Sequence, residues 1–171
     1  MKNYIGVDLG IKGAISLVSE DKKLLLCEPM PTIEVLRAKK IRNEYDIAEI
    51  YAIIKRIINE FQLEKAGMER LRAIPHQSSL VAFSMGGGTM LFKTIFNILK
   101  IPCVEIEARS WQKKVFGEWG IQYNGKTTKQ ASIQAAKQIF PGENFKRSAR
   151  CRVDSSDMTD SSLIAYYLIN L

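Results

Sequence analysis

Tyr4-Ile-Gly-Val-Asp8-Leu-Gly-Ile-Lys-Gly13-Ala-Ile-Ser-Leu-Val18 sets the architecture of the chain. Two short apolar runs flank a Gly-Ile-Lys-Gly turn, and the first run ends on an acid, Asp8. A second polar turn, Glu20-Asp21-Lys22, leads into Leu24-Leu-Leu-Cys27. Strands joined by such short connections form an antiparallel meander. Pro29 and Pro31 end it, and the polar stretch from there to Tyr45 reads as loop. Beyond it, Asp46 to Phe61 carries isoleucines at helical spacing, with Asp46 as the N-cap. Ala66 to Glu69 reads as a short strand. A helical pattern from Gln77 to Leu99 is expected to break at Gly86-Gly87-Gly88. Pro102 to Ile106 is another strand, Thr127 to Phe140 a helix, and Ser156 to Ile169 the last helix. A meander followed by alternating helices and strands predicts an α/β fold. It is a mixed five-stranded sheet, three strands antiparallel and two parallel, flanked by helices. The first strand is expected at its centre, with the Glu69 strand parallel beside it.

The chain has 171 residues and is read as one domain, 1–171. It carries a net charge of +7, which suits a polyanionic partner. No apolar run reaches the roughly 18 residues of a membrane span, and the opening residues run straight into a strand, so a cytoplasmic protein with no membrane partner is expected. Cys27, Cys103 and Cys151 are widely spaced and His76 is the one histidine, which argues against a zinc site and against a Ser-His or Cys-His hydrolase.

Four acids stand out against this basic background. Asp8 and Glu69 each end an apolar strand. Asp157 and Asp160 open the last helix three residues apart, on one face. A carboxylate at a buried strand end is costly unless it is paired or metal-bound. Two on one helix face repel unless a cation lies between them. Hard-oxygen ligands of this kind suit Mg²⁺. Asp154 continues the three-residue spacing, but is assigned to the loop before the helix.

These residues resemble the RuvC-type Holliday-junction resolvases, especially the bacteriophage branch, over nearly the whole chain. The matching segments are Ile5-Gly-Val-Asp8-Leu-Gly, Met68-Glu69 with Pro75 and Gln77 after it, Phe83-Ser-Met-Gly-Gly, Ser110-Trp111-Gln-Lys113-Lys114, Gly125-Lys126, and Asp157-Met-Thr-Asp160. The resemblance implies a ribonuclease H-like fold and a homodimer that cleaves four-way and other branched DNA. Asp8, Glu69, Asp157 and Asp160 then hold two Mg²⁺ ions, with Mn²⁺ able to substitute, and products carry 5′-phosphate and 3′-hydroxyl ends. Lys126 is a catalytic and DNA-binding candidate. Arg70, Arg72, Gln77, Lys113, Lys114, Arg147 and Arg150 complete the expected DNA surface, in the cytoplasm of a bacterium or a phage-infected host. The family often places Ala after the last Asp, where this chain has Ser161-Ser162. Arg70-Leu71-Arg72 also stands where relatives place an aromatic that enters the junction.

Two other functions compete. One is a ribonuclease H-like enzyme acting on RNA. The other is a nucleotide-binding protein, because Gly120-Ile-Gln-Tyr-Asn-Gly-Lys126-Thr127 fits the Walker A pattern and Asp8-Leu-Gly-Ile-Lys-Gly resembles the first hairpin of actin-like ATPases. A P-loop needs a buried strand directly before it, and Trp111 to Gly120 does not read as one. Lys126→Ala is expected to slow DNA cleavage ~10²-fold, the scale of one electrostatic contact. Micromolar ATP binding that disappears in this variant would establish the P-loop instead.

Overall fold

The computed structural model describes residues 1–37, 39–71, 79–122, 125 and 127–171, with residues 79–81 described by backbone alone. Arg72, Gln77 and Lys126 lie outside the described residues. The central strand β1 (Asn3–Asp8) pairs antiparallel with β2 (Ala14–Ser19), which pairs antiparallel with β3 (Leu24–Pro29). On its other side β1 pairs in parallel with β6 (Leu63–Glu69), and β6 in parallel with β7 (Cys103–Ile106). The order β3-β2-β1-β6-β7 is the expected mixed sheet, with β1 at its centre.

Alternation along β1 assigns its two faces. Ile5, Val7 and Leu9 point into one apolar core with Ile15, Leu17, Ala66 and Met68, covered by α1 (Ile47–Glu60) and α2 (Ser79–Ile98). Tyr4 points into the other core. That face is covered by α3 (Ala108–Glu118), α4 (Thr128–Ile139) and α5 (Ser156–Ile169). Asp46 caps α1 as expected, accepting a hydrogen bond from the Glu49 amide at 3.1 Å. Thr127 and Gln130 form a reciprocal capping box on α4.

Three expectations are corrected. The segment before Tyr45 is a hairpin and not a loop: β4 (Thr32–Arg37) and β5 (Lys40–Tyr45) form a separate two-stranded sheet. The triple glycine does not break its helix, because α2 runs unbroken through Gly86, Gly87 and Gly88. A Cβ on Gly88 would lie 2.4 Å from the Tyr45 hydroxyl, so this glycine admits close packing of β5 on the helix. Between β7 and α4 stands the unexpected α3, which buries Trp111, Val115 and Phe116. A helix therefore precedes Gly120, and the strand that a P-loop needs is absent from that position.

The tightest contact in the fold lies between β1 and α5. A Cβ built on Gly6 would fall 2.0 Å from the Ser161 carbonyl oxygen and 2.5 Å from the Ala165 amide nitrogen. Neither is a side chain that can move aside. Next to it, Ser16 on β2 hydrogen-bonds the hydroxyls of Ser161 (2.7 Å) and Ser162 (2.9 Å), all three fully buried. Both α5 hydroxyls also contact the Met158 carbonyl at 2.9 Å, within their own helix. Ser161 and Ser162 thus join the helix to the sheet. Gly6→Ala must push α5 off the sheet, and is expected to cost at least ~3 kcal/mol in urea unfolding. Parent-like stability would show that the seam yields more than this packing allows.

Candidate metal-binding active site

Strand alternation places Asp8 on the same face of β1 as Gly6, and Glu69 on the same face of β6 as Gly67. Both glycines lie under α5: a Cβ on Gly67 would come within 2.9–3.0 Å of the Leu168 side chain. Val7 pairs with Met68, so the two acids that follow, Asp8 and Glu69, end neighbouring parallel strands. Helix α5 begins at Ser156, one residue before Asp157, and packs over Gly6 through Ser161 and Ala165. Its first turns therefore lie over the strand ends and bring Asp157 and Asp160 towards Asp8. A glycine two residues before each strand-end acid, at Gly6 and Gly67, is a sequence signal that could have found this arrangement.

The charges of these acids act on Asp8 and Asp160. Burial pushes the Asp8 carboxyl well above the usual range, and the charges of Asp160, Asp157 and Glu69 push it further. Asp160 is raised to about 7, first by burial and then by Glu69 and Asp157. Glu69 is raised by burial, and its hydrogen bond from Trp111 pulls it back. All four carboxylates retain some solvent exposure.

The fit to a metal rests on what these oxygens lack. Among the described residues, Asp160 Oδ1 and the Ser132 hydroxyl on α4 are buried with no hydrogen-bond partner. Ser132 acts on the Asp160 charge, but falls short of hydrogen-bond geometry. A buried acceptor left unpaired is costly, and a hard cation is the partner that four oxygen-bearing acids select. Among the described residues, no three His, Cys, Asp or Glu close to the spacing of a filled metal cage.

Three neighbours were not foreseen in their roles. Trp111, fully buried on α3, donates its indole N–H to Glu69 Oε1 at 2.8 Å and fixes that carboxylate. Lys129, in the first turn of α4, lies near enough to lower the pKa of both Asp8 and Asp160. Ser132 borders Asp160. No local pattern links Trp111 to Glu69, 42 positions away; Lys129 could have been flagged by its place beside the α4 cap.

The expected DNA-contacting residues separate into two groups. Lys113 and Arg150 are exposed. Lys113 borders a shallow cleft with Arg109, Gln112 and Ile121. Arg70 is also exposed and lies 3.6 Å from Glu107. Lys114 instead donates to the Asn170 carbonyl at 2.8 Å and sits over the Tyr167 ring. Arg147 donates to the Lys12 and Gly13 carbonyls and lies 3.8 Å from Asp157. It ties the basic loop to the β1–β2 turn beside the acids. Asp154 pairs with Lys137 at 2.5 Å, ahead of the Ser155 cap, and stays apart from the cluster.

The chain shares its fold with RuvC of T. thermophilus in complex with a Holliday junction substrate, at a TM-score of 0.62 and 12% identity, over 98% of this chain and 92% of that one. A second Thermus thermophilus RuvC structure matches at a TM-score of 0.55 and 12% identity, over 96% and 92%. The yeast mitochondrial Holliday junction resolvase Ydc2 matches at 0.52 and 14%, over 97% and 77%. No protein-family model and no curated protein sequence matches the chain. The mixed sheet with its helices is thus the ribonuclease H-like fold of these neighbours. Among the described residues no helix is long and apolar enough to cross a membrane.

The raised carboxyls predict a pH dependence of stability. Asp160 titrates near 3.8 when unfolded and about 7 when folded. Between these values the folded state holds the extra proton, so stability falls as pH rises from about 4 to about 7 and then levels. The metal-free protein should therefore melt at a lower temperature at pH 8 than at pH 5.5. Asp160→Asn should flatten the profile and exceed the parent at pH 8 by more than ~1 kcal/mol. A variant with the parent's pH profile would show that Asp160 does not carry this burden.

Proposed function

We propose that this chain is a divalent-metal-dependent endonuclease that cuts branched DNA, four-way junctions above all. The observation that carries the proposal is the convergence of Asp8, Glu69, Asp157 and Asp160, with an orphaned Asp160 oxygen, at one edge of a sheet whose fold is shared with junction resolvases. An acidic cluster on a protein of net charge +7 would repel the same DNA that the remaining surface attracts. That arrangement makes sense where cations join the acids to phosphate.

Asp8, Glu69, Asp157 and Asp160 would hold Mg²⁺, two ions by the resemblance, with Mn²⁺ as a substitute. Bound there, the metal supplies Lewis-acid stabilisation of phosphate charge and water of lowered pKa. The chain's own residues do the rest. Trp111 holds Glu69 in one orientation, so the ligand does not have to be ordered when DNA arrives. Lys129 offers positive charge beside Asp8 and Asp160, where a scissile phosphate would lie. Arg147 anchors the loop that carries exposed Arg150, and with Arg70 and Lys113 this surface positions the backbone without reading bases. Lys126 and Arg72 extend the same assignment. Hydrolysis is expected to leave 5′-phosphate and 3′-hydroxyl ends.

A two-fold junction calls for two nicks, and a homodimer supplies them. Exposed apolar Phe83 and Met90 on α2, with open space over Gly86 and Gly87, make that helix the proposed face. Sedimentation at micromolar concentration should show a dimer with junction DNA. A monomer under all conditions would remove the paired-nick arrangement.

Incubation with a four-way junction, linear duplex and RNA–DNA hybrid, with and without Mg²⁺, tests the function. Metal-dependent nicks near the branch point of the junction are expected, with little cutting of the other two. Preferential cleavage of the hybrid would instead favour an RNA-directed enzyme. Asp8→Asn should abolish cleavage while DNA binding is kept or tightened, because a ligand and a repelling charge are both removed. Asp160→Asn should also abolish it, whereas Asp154→Asn should keep most activity. Equal loss at 154 and 160 would place Asp154 inside the site.

A further inference from the structure

The β4–β5 hairpin is the one part of the described chain that the nuclease reading does not use. Its register is regular from Thr32↔Tyr45 to Arg37↔Lys40, six pairs in all. At ~3.4 Å per residue that makes an arm on the order of 20 Å. Only Tyr45 at its foot packs against a core, and its two strands pair only with each other among the described residues.

Its chemistry is unusual for a solvated arm. Leu36 and Ile41 face each other across the strands and are 72% and 68% exposed. Cross-strand partners share a face, so the two side chains form one apolar knob near the tip. Lys39 lies in the turn beside it, and Arg37, Lys40 and Arg42 line the opposite face of the hairpin, all exposed. Only Arg37 among these has an acidic partner, Glu44 at 2.7 Å. An apolar knob on an arm whose turn and opposite face are basic matches a polyanion with apolar faces between its charges, which describes stacked bases between phosphates. A second copy of this chain would bring like charge to the same tip, because each copy carries +7.

The foot of the arm is at the acidic site. Asp8 pairs with Ala14 and Ala14 with Pro29, so β3 delivers the chain to the hairpin at the same sheet edge where Asp8 lies. Tyr45, at the other foot, packs on Gly88 and feels the charge of Asp8.

We propose that the β4–β5 hairpin is a DNA-engaging arm, with Leu36 and Ile41 inserted against unstacked bases at the branch point while the basic residues of its turn and opposite face hold the flanking phosphates. It rests on the branched-DNA reading above and adds the element that senses the branch. Bases at a branch point are less fully stacked than in linear duplex, so an apolar wedge gains more there.

The test combines Leu36→Ala with Ile41→Ala, both at exposed positions. Leu36→Thr with Ile41→Thr is the second variant, which keeps strand propensity while shortening the apolar reach. Binding is followed without divalent metal, on a four-way junction carrying 2-aminopurine beside the branch point and on linear duplex. The parent should raise the 2-aminopurine fluorescence on binding. Both variants should lose most of that rise and bind the junction ~10-fold more weakly, with duplex affinity changed less than ~2-fold. An unchanged rise and unchanged junction affinity overturn the proposal while leaving the nuclease reading intact. A switch from dimer to monomer in the variants, seen by sedimentation, also overturns it and assigns the knob to a contact between copies. A parent that neither prefers nor cleaves the junction removes the nuclease reading and this arm's role together.

Discussion

The approach of α5 to β1 across Gly6 is the constraint on which the rest of the structure depends. With no side chain at that position, helix backbone meets strand backbone, and any Cβ there would collide with the Ser161 carbonyl. The buried hydroxyls of Ser16, Ser161 and Ser162 hold the helix beside the sheet. This contact fixes the height of α5 above the strands. Its first turns, with Asp157 and Asp160, are thereby set over the ends of β1 and β6. Gly67 extends the same shelf under Leu168. One packing decision thus places all four acids.

The same decision loads the fold with electrostatic strain. Asp8 and Asp160 are held largely out of water among like charges, and both resist ionisation. Among the described residues the relief is partial: Lys129 lowers both and Ser132 lowers Asp160, while Trp111 serves Glu69 and Arg147 lies near Asp157. Such an arrangement is a cost to the free protein, and binding of cations to the native state would return it as stability. Active sites commonly carry this kind of local disadvantage because the chemistry needs it. On the proposed reading, the net charge of +7 would act at longer range, drawing DNA to a site that is itself negative.

Much of this was legible because the central elements obey strong periodicities. The isoleucines of α1 recur at helical spacing and all four of its buried positions are among them. β1 and β6 are apolar runs closed by an acid, and α5 begins where its acidic pair predicts. The hairpin was not legible because neither of its faces is buried in a core. Ile33, Val35, Leu36 and Ile41 are interleaved with charged residues, and proline flanks suggested a loop. In α2 the low helix propensity of three glycines suggested a break, yet the helix continues and Tyr45 packs where a side chain on Gly88 would be. Tertiary packing overrode local preference there. Helix α3 was hidden by its basic, mostly exposed surface, with Trp111, Val115 and Phe116 as its only buried residues. The placement of the candidate acids at strand ends and at a helix start could be read from the sequence. Those defined by distant contacts, Trp111 with Glu69 and Arg147 with the β1–β2 turn, could not.

The central claim is that these four carboxylates form one cation site. Crystals soaked in Mn²⁺, with diffraction collected at the manganese absorption edge, test it most directly. The account predicts an anomalous peak within ~2.0–2.4 Å of a carboxylate oxygen of Asp8 and of at least one of Glu69, Asp157 and Asp160. Asp160 Oδ1 should gain a partner, the ion itself or a water bound to it. Ordered carboxylates with no peak between them at millimolar Mn²⁺, or a peak only at unrelated surface acids, would contradict it.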